Sequence, residues 1–274
     1  LKTSSDLAIW AILILGFIAI GFWGIKINDL VKRGFGFGLA YFASALIFLN
    51  WGLGLDSVET TKFGGLLLTL VLALTSIAAS LPLSILLALG RRAESLPVVM
   101  YACITFIELF RAVPLITVLF MAQFMIPLFL PQGYSFDDVG MALIGMILFF
   151  SAYLAEVVRG GLQAISKGQF EAAASIGLNY YKSTRLIILP QALKIVIPGI
   201  VNTFIAITKD TSLVMIIGLF DILNITKSSI TDAKWLGLEW EGYAFVGLLF
   251  WILCFSMSRY SQWLEKRLDT DRRI

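Results

Sequence analysis

A chain of 274 residues that is 59% hydrophobic and only 14% charged is not built as a water-soluble globule; its solvent is a bilayer. Its 21 basic and 18 acidic side chains leave a net charge of +3, too small a surplus to mark a nucleic-acid binder, so the placement of charges matters more than their sum. Histidine is absent, which removes the commonest metal ligand and general base, and the two cysteines, Cys103 and Cys254, sit in apolar runs as packing residues, not a metal set.

Residues 6–25 form the first apolar run, long enough for a span and lacking the small-residue cleavage site of a signal peptide. A second run, glycine-rich and aromatic, covers 35–55, so residues 1–62 read as extra amino-terminal spans. The third run, 63–90, is broken by Pro82 and closed by Arg91 and Arg92. Residues 96–130 exceed one straight span and contain Glu108, Arg111 and Pro114. The sequence predicts a helix along the interface from Leu96, turning through Phe110 into a span over 112–130. A turn-rich loop at 131–138 leads to the fifth span, 139–158, which Arg159, Gly160 and Gly161 end. The sixth run is 191–218 with Pro198 in its first half, 221–242 reads as a polar loop with Trp235 and Trp240, and 243–260 is the last span.

Basic residues crowd 26–33, 91–92, 159–185 and 266–273, while 56–62, 131–138 and 221–241 hold most of the acids. The two sets alternate along the chain, which puts residues 166–190 and the carboxyl terminus in the cytoplasm. Seven spans then leave Leu1 outside, and one more span is expected upstream of it.

Between the fifth and sixth runs, 166–190 interrupts the apolar pattern as an elbow of two short helices. Ser166 and Gln169 have capping-box spacing, and Phe170, Ala173, Ala174 and Gly177 form one helical stripe. Gly177 suits a left-handed helix end, Asn179 can cap a second helix, and Pro190 marks the next element. Ala172 and Ala173 are small enough to let another surface come close, as in a docking part. This stretch resembles the EAA loop of permease subunits in bacterial ATP-binding-cassette importers. Glu171, Ala172, Ala173, Gly177, Ile187, Leu189 and Pro190 fill every position of that spaced pattern. The resemblance implies a helix that sits in a groove of a cytoplasmic ATPase; a lone Glu-Ala-Ala would be no more than an alanine-rich surface helix.

Ionisable residues inside spans are costly and face a cavity or a partner. Glu108 with Arg111, and Glu156 with Arg159, are three apart and read as structural ion pairs at helix ends. Lys194 snorkels. Lys209 and Asp210 lie deeper, roughly 17 to 29 Å along the sixth span at about 1.5 Å per residue. Lys209 shares a face with Asn202, and Lys209, Asp210, Asn202 and Gln123 together make a candidate substrate pathway. A buried Lys209–Asp210 pair that only holds helices together stays an equal alternative. The nearest approach to a phosphate loop, residues 177–183, lacks the second glycine, so this chain does not bind ATP by that motif.

The resemblance continues through Gly64-Gly65 with Leu68-Thr69-Leu70, and through Phe110-Arg111-Ala112-Val113-Pro114-Leu115, where Ala112 replaces the usual glycine. It includes Ala152-Tyr153-Leu154-Ala155-Glu156, Arg159-Gly160-Gly161 and Lys209-Asp210-Thr211-Ser212-Leu213, the last typical of polar amino-acid permeases. The expectation is an all-α, polytopic, MetI-like ABC importer transmembrane domain: a five-helix core over 63–265, extra spans before it and a cytoplasmic tail at 266–274. Of this family, general L-amino-acid permeases are the nearest in pattern. The resemblance implies a subunit of the bacterial inner membrane with no cofactor of its own, ATP and Mg belonging to a partner ATPase dimer. It further implies a second permease, identical or homologous, a periplasmic or surface binding protein, membrane lipid, and no nucleic acid. A secondary transporter or channel without an ATPase is the alternative, and would call for inverted repeats and no docking elbow. An intramembrane enzyme would need a nucleophile or metal set.

Overall fold

The computed structural model describes residues 63–129 and 137–268, all within one compact unit, Glu59–Ile274. The expected spans over 1–62, residues 131–136 of the acidic loop and the end of the tail lie outside the described residues. Among the described residues the chain is helical, with one isolated bridge between Gly65 and Asp221. In order, the helices are α1 (Gly65–Gly90), α2 (Pro97–Ala112), α3 (Leu115–Phe129), α4 (Asp138–Ala164), α5 (Lys167–Ser175) and α6 (Tyr180–Ser183). A π turn (Thr184–Ile188) leads into α7 (Leu189–Ile195); α8 (Ile197–Asp210) continues as a 3₁₀ segment (Thr211–Ile217), and α9 (Ile222–Ile230) and α10 (Glu239–Leu268) complete the unit.

Four stretches are long and apolar enough to cross a membrane: Gly65–Gly90, Asp138–Ala164, Ile197–Ile217 and Glu239–Leu268. The helices α2 and α3, bent by 108° from each other, are long and apolar enough only when taken together. The bend falls at Val113 and Pro114, because proline restricts the residue before it to extended backbone, and Val113 has φ −115° and ψ 149°.

Helix α4 is the hub, with 67% of its apolar window buried against 6% for α10. It packs against α1, α2, α3, α7 and α8. On α1, Thr69, Ala73, Ser76, Ser80 and Ser84 are buried, and such small side chains let backbones approach where lipid supplies no hydrophobic drive. Two expectations are corrected here. Pro82 does not break the third run: α1 is continuous through it, as membrane helices tolerate proline where neighbours support the backbone. Residues 221–242 are not a plain loop, since α9 folds there, its Ile222 and Ile230 buried.

Candidate functional site

The elbow is built from local signals. Helix α5 ends in a Schellman pattern: Leu178 N–H donates to the Ala173 carbonyl at 3.1 Å and Gly177 N–H to Ala174 at 2.9 Å. The turn requires φ +77° at Gly177, a conformation in which a Cβ would be strained. Asn179 then caps α6, its Oδ1 accepting from Lys182 N–H at 3.0 Å. Pro190 has no N–H to give the carbonyl four residues back, and its ring crowds that carbonyl. The backbone widens instead into the π turn, whose Leu189 N–H donates to Thr184 O, before α7 starts with proline in its first turn. The capping box is a correction: Ser166 makes no side-chain cap bond, and the Gln169 amide oxygen accepts from Gln191 Nε2 at 3.1 Å, tying α5 to α7.

The motif residues divide between two sides. Ala173 is buried at 1% exposure, Ile187 and Leu189 are partly buried against the core, and Pro190 is half-buried. Their neighbour Ile188 belongs to a core cluster with Leu87, Ile107, Val158 and Leu162. Glu171, Ala172 and Gly177 face outward, flanked by Ile176 (71% exposed) and Tyr180 (66%). A Cβ added at Gly177 would meet no atom of the described residues within 4 Å. The elbow is thus anchored on one side and free on the other.

Of the two ion pairs that local spacing suggests, Glu156–Arg159 forms and Glu108–Arg111 does not. Glu156 receives three arginines: Arg91 Nη1 at 2.7 Å, Arg159 Nη2 at 2.7 Å and Arg111 Nη1 at 3.6 Å. Glu108 pairs with Arg91 at 3.0 Å and not with Arg111. Sequence reasoning missed Arg91, whose partners lie 17 and 65 residues away, beyond any helical periodicity.

On α8, Asn202 and Lys209 are exposed on the outside of this single chain and Asp210 is half-buried. Among the described residues neither Lys209 nor Asp210 joins an ion pair. Gln123 is engaged elsewhere: its Nε2 donates to Asp138 Oδ1 at 2.7 Å, tying α3 to α4. Beyond the 3₁₀ segment, buried Asp221 caps α9 by accepting from Asn224 N–H at 3.0 Å. Among the described residues its other oxygen has no partner, and burial pushes this carboxyl above its usual range, the bonds from Asn224 pulling it back.

These features have counterparts. The family described as binding-protein-dependent transport system inner membrane component matches residues 80–270. The inner membrane amino-acid ABC transporter permease protein YhdY of Escherichia coli is 59% identical over 218 residues, 80% of this chain and 59% of its own. The glutamate/glutamine/aspartate/asparagine transport system permease protein BztC of Rhodobacter capsulatus is 51% identical over 81% of this chain and 51% of its own. The chain therefore spans between half and three fifths of the length of these two relatives. The glutamate/aspartate import permease protein GltK of Escherichia coli is 31% identical over 74% of this chain and 91% of its own length. Among solved structures, one titled as an amino acid ABC transporter with histidines superposes with TM-score 0.64 at 26% identity, covering 74% of this chain and 92% of that one. The MetNI methionine ABC transporter, at 16% identity, TM-score 0.54 and coverage of 72% and 91%, shares the fold. On the family match and the relative covered almost whole, this chain belongs to the family of inner membrane components of binding-protein-dependent transport systems.

Proposed function

We propose that this chain is the transmembrane permease subunit of an ATP-driven importer of polar amino acids. The observation that carries the reading is the elbow, a complete spaced motif anchored in the span core through Ala173, Ile187, Leu189 and Pro190 and open on the Glu171, Ala172 and Gly177 side. A cytoplasmic ATPase dimer takes that open side and holds ATP and Mg; this chain is a transport subunit with no catalytic role. Movement of the clamp is passed through Ile188 and its neighbours to α1, α2 and α4, and the spans open the path to each side in turn. A binding protein delivers the amino acid at the outer face, and a second permease completes the pathway.

The amino-acid cargo is supported by the names of the relatives and by Lys209-Asp210-Thr211-Ser212-Leu213. Asn202 and Lys209 line the pathway, Asp210 and Gln123 hold helices beside it, and Glu108, Arg111, Glu156 and Arg159 brace the span ends. The core covers 63–265, the extra spans 1–62, and the elbow and the tail at 266–274 are cytoplasmic. The test is co-expression with candidate partners and purification of the assembly. ATP hydrolysis stimulated by amino-acid-loaded binding protein is expected. Uptake by this chain without any ATPase would overturn the reading in favour of a secondary transporter.

A further inference from the structure

Two consecutive arginines close α1 and reach in different directions. Their backbone is fixed to the helix, since Arg91 N–H donates to the Leu87 carbonyl at 2.9 Å and Arg92 N–H to the Leu89 carbonyl at 3.1 Å. The Arg92 side chain turns toward the elbow. Its Nη1 donates to the Leu162 carbonyl at 3.3 Å, and its guanidinium lies over the Phe170 ring of α5 at 5.9 Å. The Arg91 side chain turns toward the spans. Its Nη1 donates to Glu108 Oε1 of α2 at 3.0 Å and to Glu156 Oε1 of α4 at 2.7 Å. One nitrogen therefore joins the end of α1 to two other helices, on a side chain only 23% exposed.

Helix α2 depends on that joint. Among the described residues Ile107 is the one fully buried residue of its sixteen, with Cys103 and Phe106 packed at the edge of the core cluster. Apolar contact of that extent does not fix how a helix is turned about its axis, because it is non-directional, whereas charge-assisted hydrogen bonds have direction. For α2 the directed ties are Glu108 on Arg91, and Arg111, which reaches Glu156 Oε2 at 3.6 Å and lies over the Tyr153 ring at 5.8 Å. Arg159 already takes that Oε2 at 2.7 Å, so Glu108–Arg91 at 3.0 Å is the closer of the two ties. Both fall within the last five residues of α2, directly before the bend at Val113 and Pro114. Beyond the bend, α3 packs against the Thr211–Ile217 segment that follows Lys209 and Asp210.

We propose that Arg91 is the residue that couples the elbow to the α2–α3 pair. The proposal rests on the elbow being the side that meets the ATPase, and it names how movement of the elbow reaches these helices. Arg92 ties the end of α1 to α5 and to the end of α4, and Arg91 passes a displacement of that end on to Glu108. Helix α2 then turns with the elbow instead of sliding over Ile107, and the bend carries the turn into α3. Arg91 touches no substrate and acts through α2, which makes it a positioning residue. Loss of a mere brace would show as lower yield and heat stability. Loss of a coupling residue shows as less amino acid carried per ATP hydrolysed.

The test uses the purified transporter complex in proteoliposomes and reads uptake against ATP hydrolysis. In Arg91→Gln the amino acid carried per ATP should fall by about tenfold, the worth of one hydrogen bond between charged groups, and Arg91→Lys, which keeps the charge, should recover most of it. A second readout places spin labels at Lys167→Cys on α5 and Val98→Cys on α2, with Cys103 and Cys254 replaced. The distance between the labels should stay constant on ATP binding when Arg91 is present, and change in Arg91→Gln. Where Arg91→Gln does not accumulate, Glu108→Gln removes the α2 half of the joint from a side chain 55% exposed, and should move both readouts the same way. An unchanged ratio in both variants, whether or not the overall rate falls, makes Arg91 a brace and overturns the proposal while the ATPase reading stands. A label distance that changes with ATP when Arg91 is present overturns it too. ATP hydrolysis indifferent to loaded binding protein in the unaltered complex overturns the ATPase reading itself, and the proposal with it.

Discussion

Two neighbouring glycines show how unequal adjacent residues can be. A Cβ on Gly161 would stand 2.6 Å from the Ala192 carbonyl oxygen and 2.8 Å from a Val196 methyl, whereas one on Gly160 would meet nothing within 4 Å. Helices α4 and α7 cross at Gly161, and a carbonyl on a helix cannot rotate away. Gly161→Ala is therefore expected to cost about 1–3 kcal/mol by overpacking and to lower the thermal midpoint of the complex, while Gly160→Ala leaves it unchanged. Equal midpoints for the two variants would count against this crossing. The motif Arg159-Gly160-Gly161 was legible in the sequence, but not which glycine carries the constraint, because that depends on a carbonyl about 30 residues away. Lys209 poses a different question. It is exposed, and among the described residues it joins no ion pair. Lys209→Met keeps the stem and deletes the charge. The complex should assemble with measurable basal ATPase and lose most of its uptake. Failure to assemble, repaired by a second change at Asp210, would make the pair a structural tie.

At the scale of elements, what could be read from sequence was what local chemistry decides. Asn179, Gly177 and Pro190 act within a few residues of themselves, so the elbow's two helices and the start of α7 were foreseeable. The bend at Pro114 was foreseeable for the same reason. Helix α9 was not: Lys227, Ser228 and Ser229 dilute its apolar pattern, and it is held by packing on α1 and α10. Its attachment runs through Asp221, which caps it, and through Thr69 Oγ1 of α1, which accepts from Ile222 N–H at 3.2 Å. Asp221→Ala removes the cap and is expected to cost about 1 kcal/mol, read as faster amide exchange in α9. Asp221→Asn keeps an acceptor for the Asn224 amide, so exchange should stay close to wild type. If alanine and asparagine behave alike, the cap is not what holds α9. The convergence on Glu156 was likewise beyond local pattern, because it gathers side chains from three separate elements.

For the molecule as a whole, orientation follows from one experiment. With Cys103 and Cys254 replaced, Lys234→Cys should react with an impermeant thiol reagent added to intact cells, and Lys182→Cys only after lysis. The opposite result would turn the protein over in the membrane and move the elbow to the outer face. The most enclosed helix, α4, joins the elbow at one end to α3 and Asp138 at the other, so the unit is tied along its full height. One segment stands apart from this stiffness. Thr211–Ile217 is a 3₁₀ stretch of seven residues, where three or four is the usual limit, set directly after Lys209 and Asp210. At about 2.0 Å per residue it is some 14 Å long, and rewound as α-helix at about 1.5 Å it would measure roughly 10.5 Å. The sixth span thus carries an extended stretch directly after Asp210. Rewinding it would draw Gly218 about 3.5 Å toward Asp210 and swing Leu213, Met215 and Ile216 around the axis, with no movement demanded of the α-helical half below.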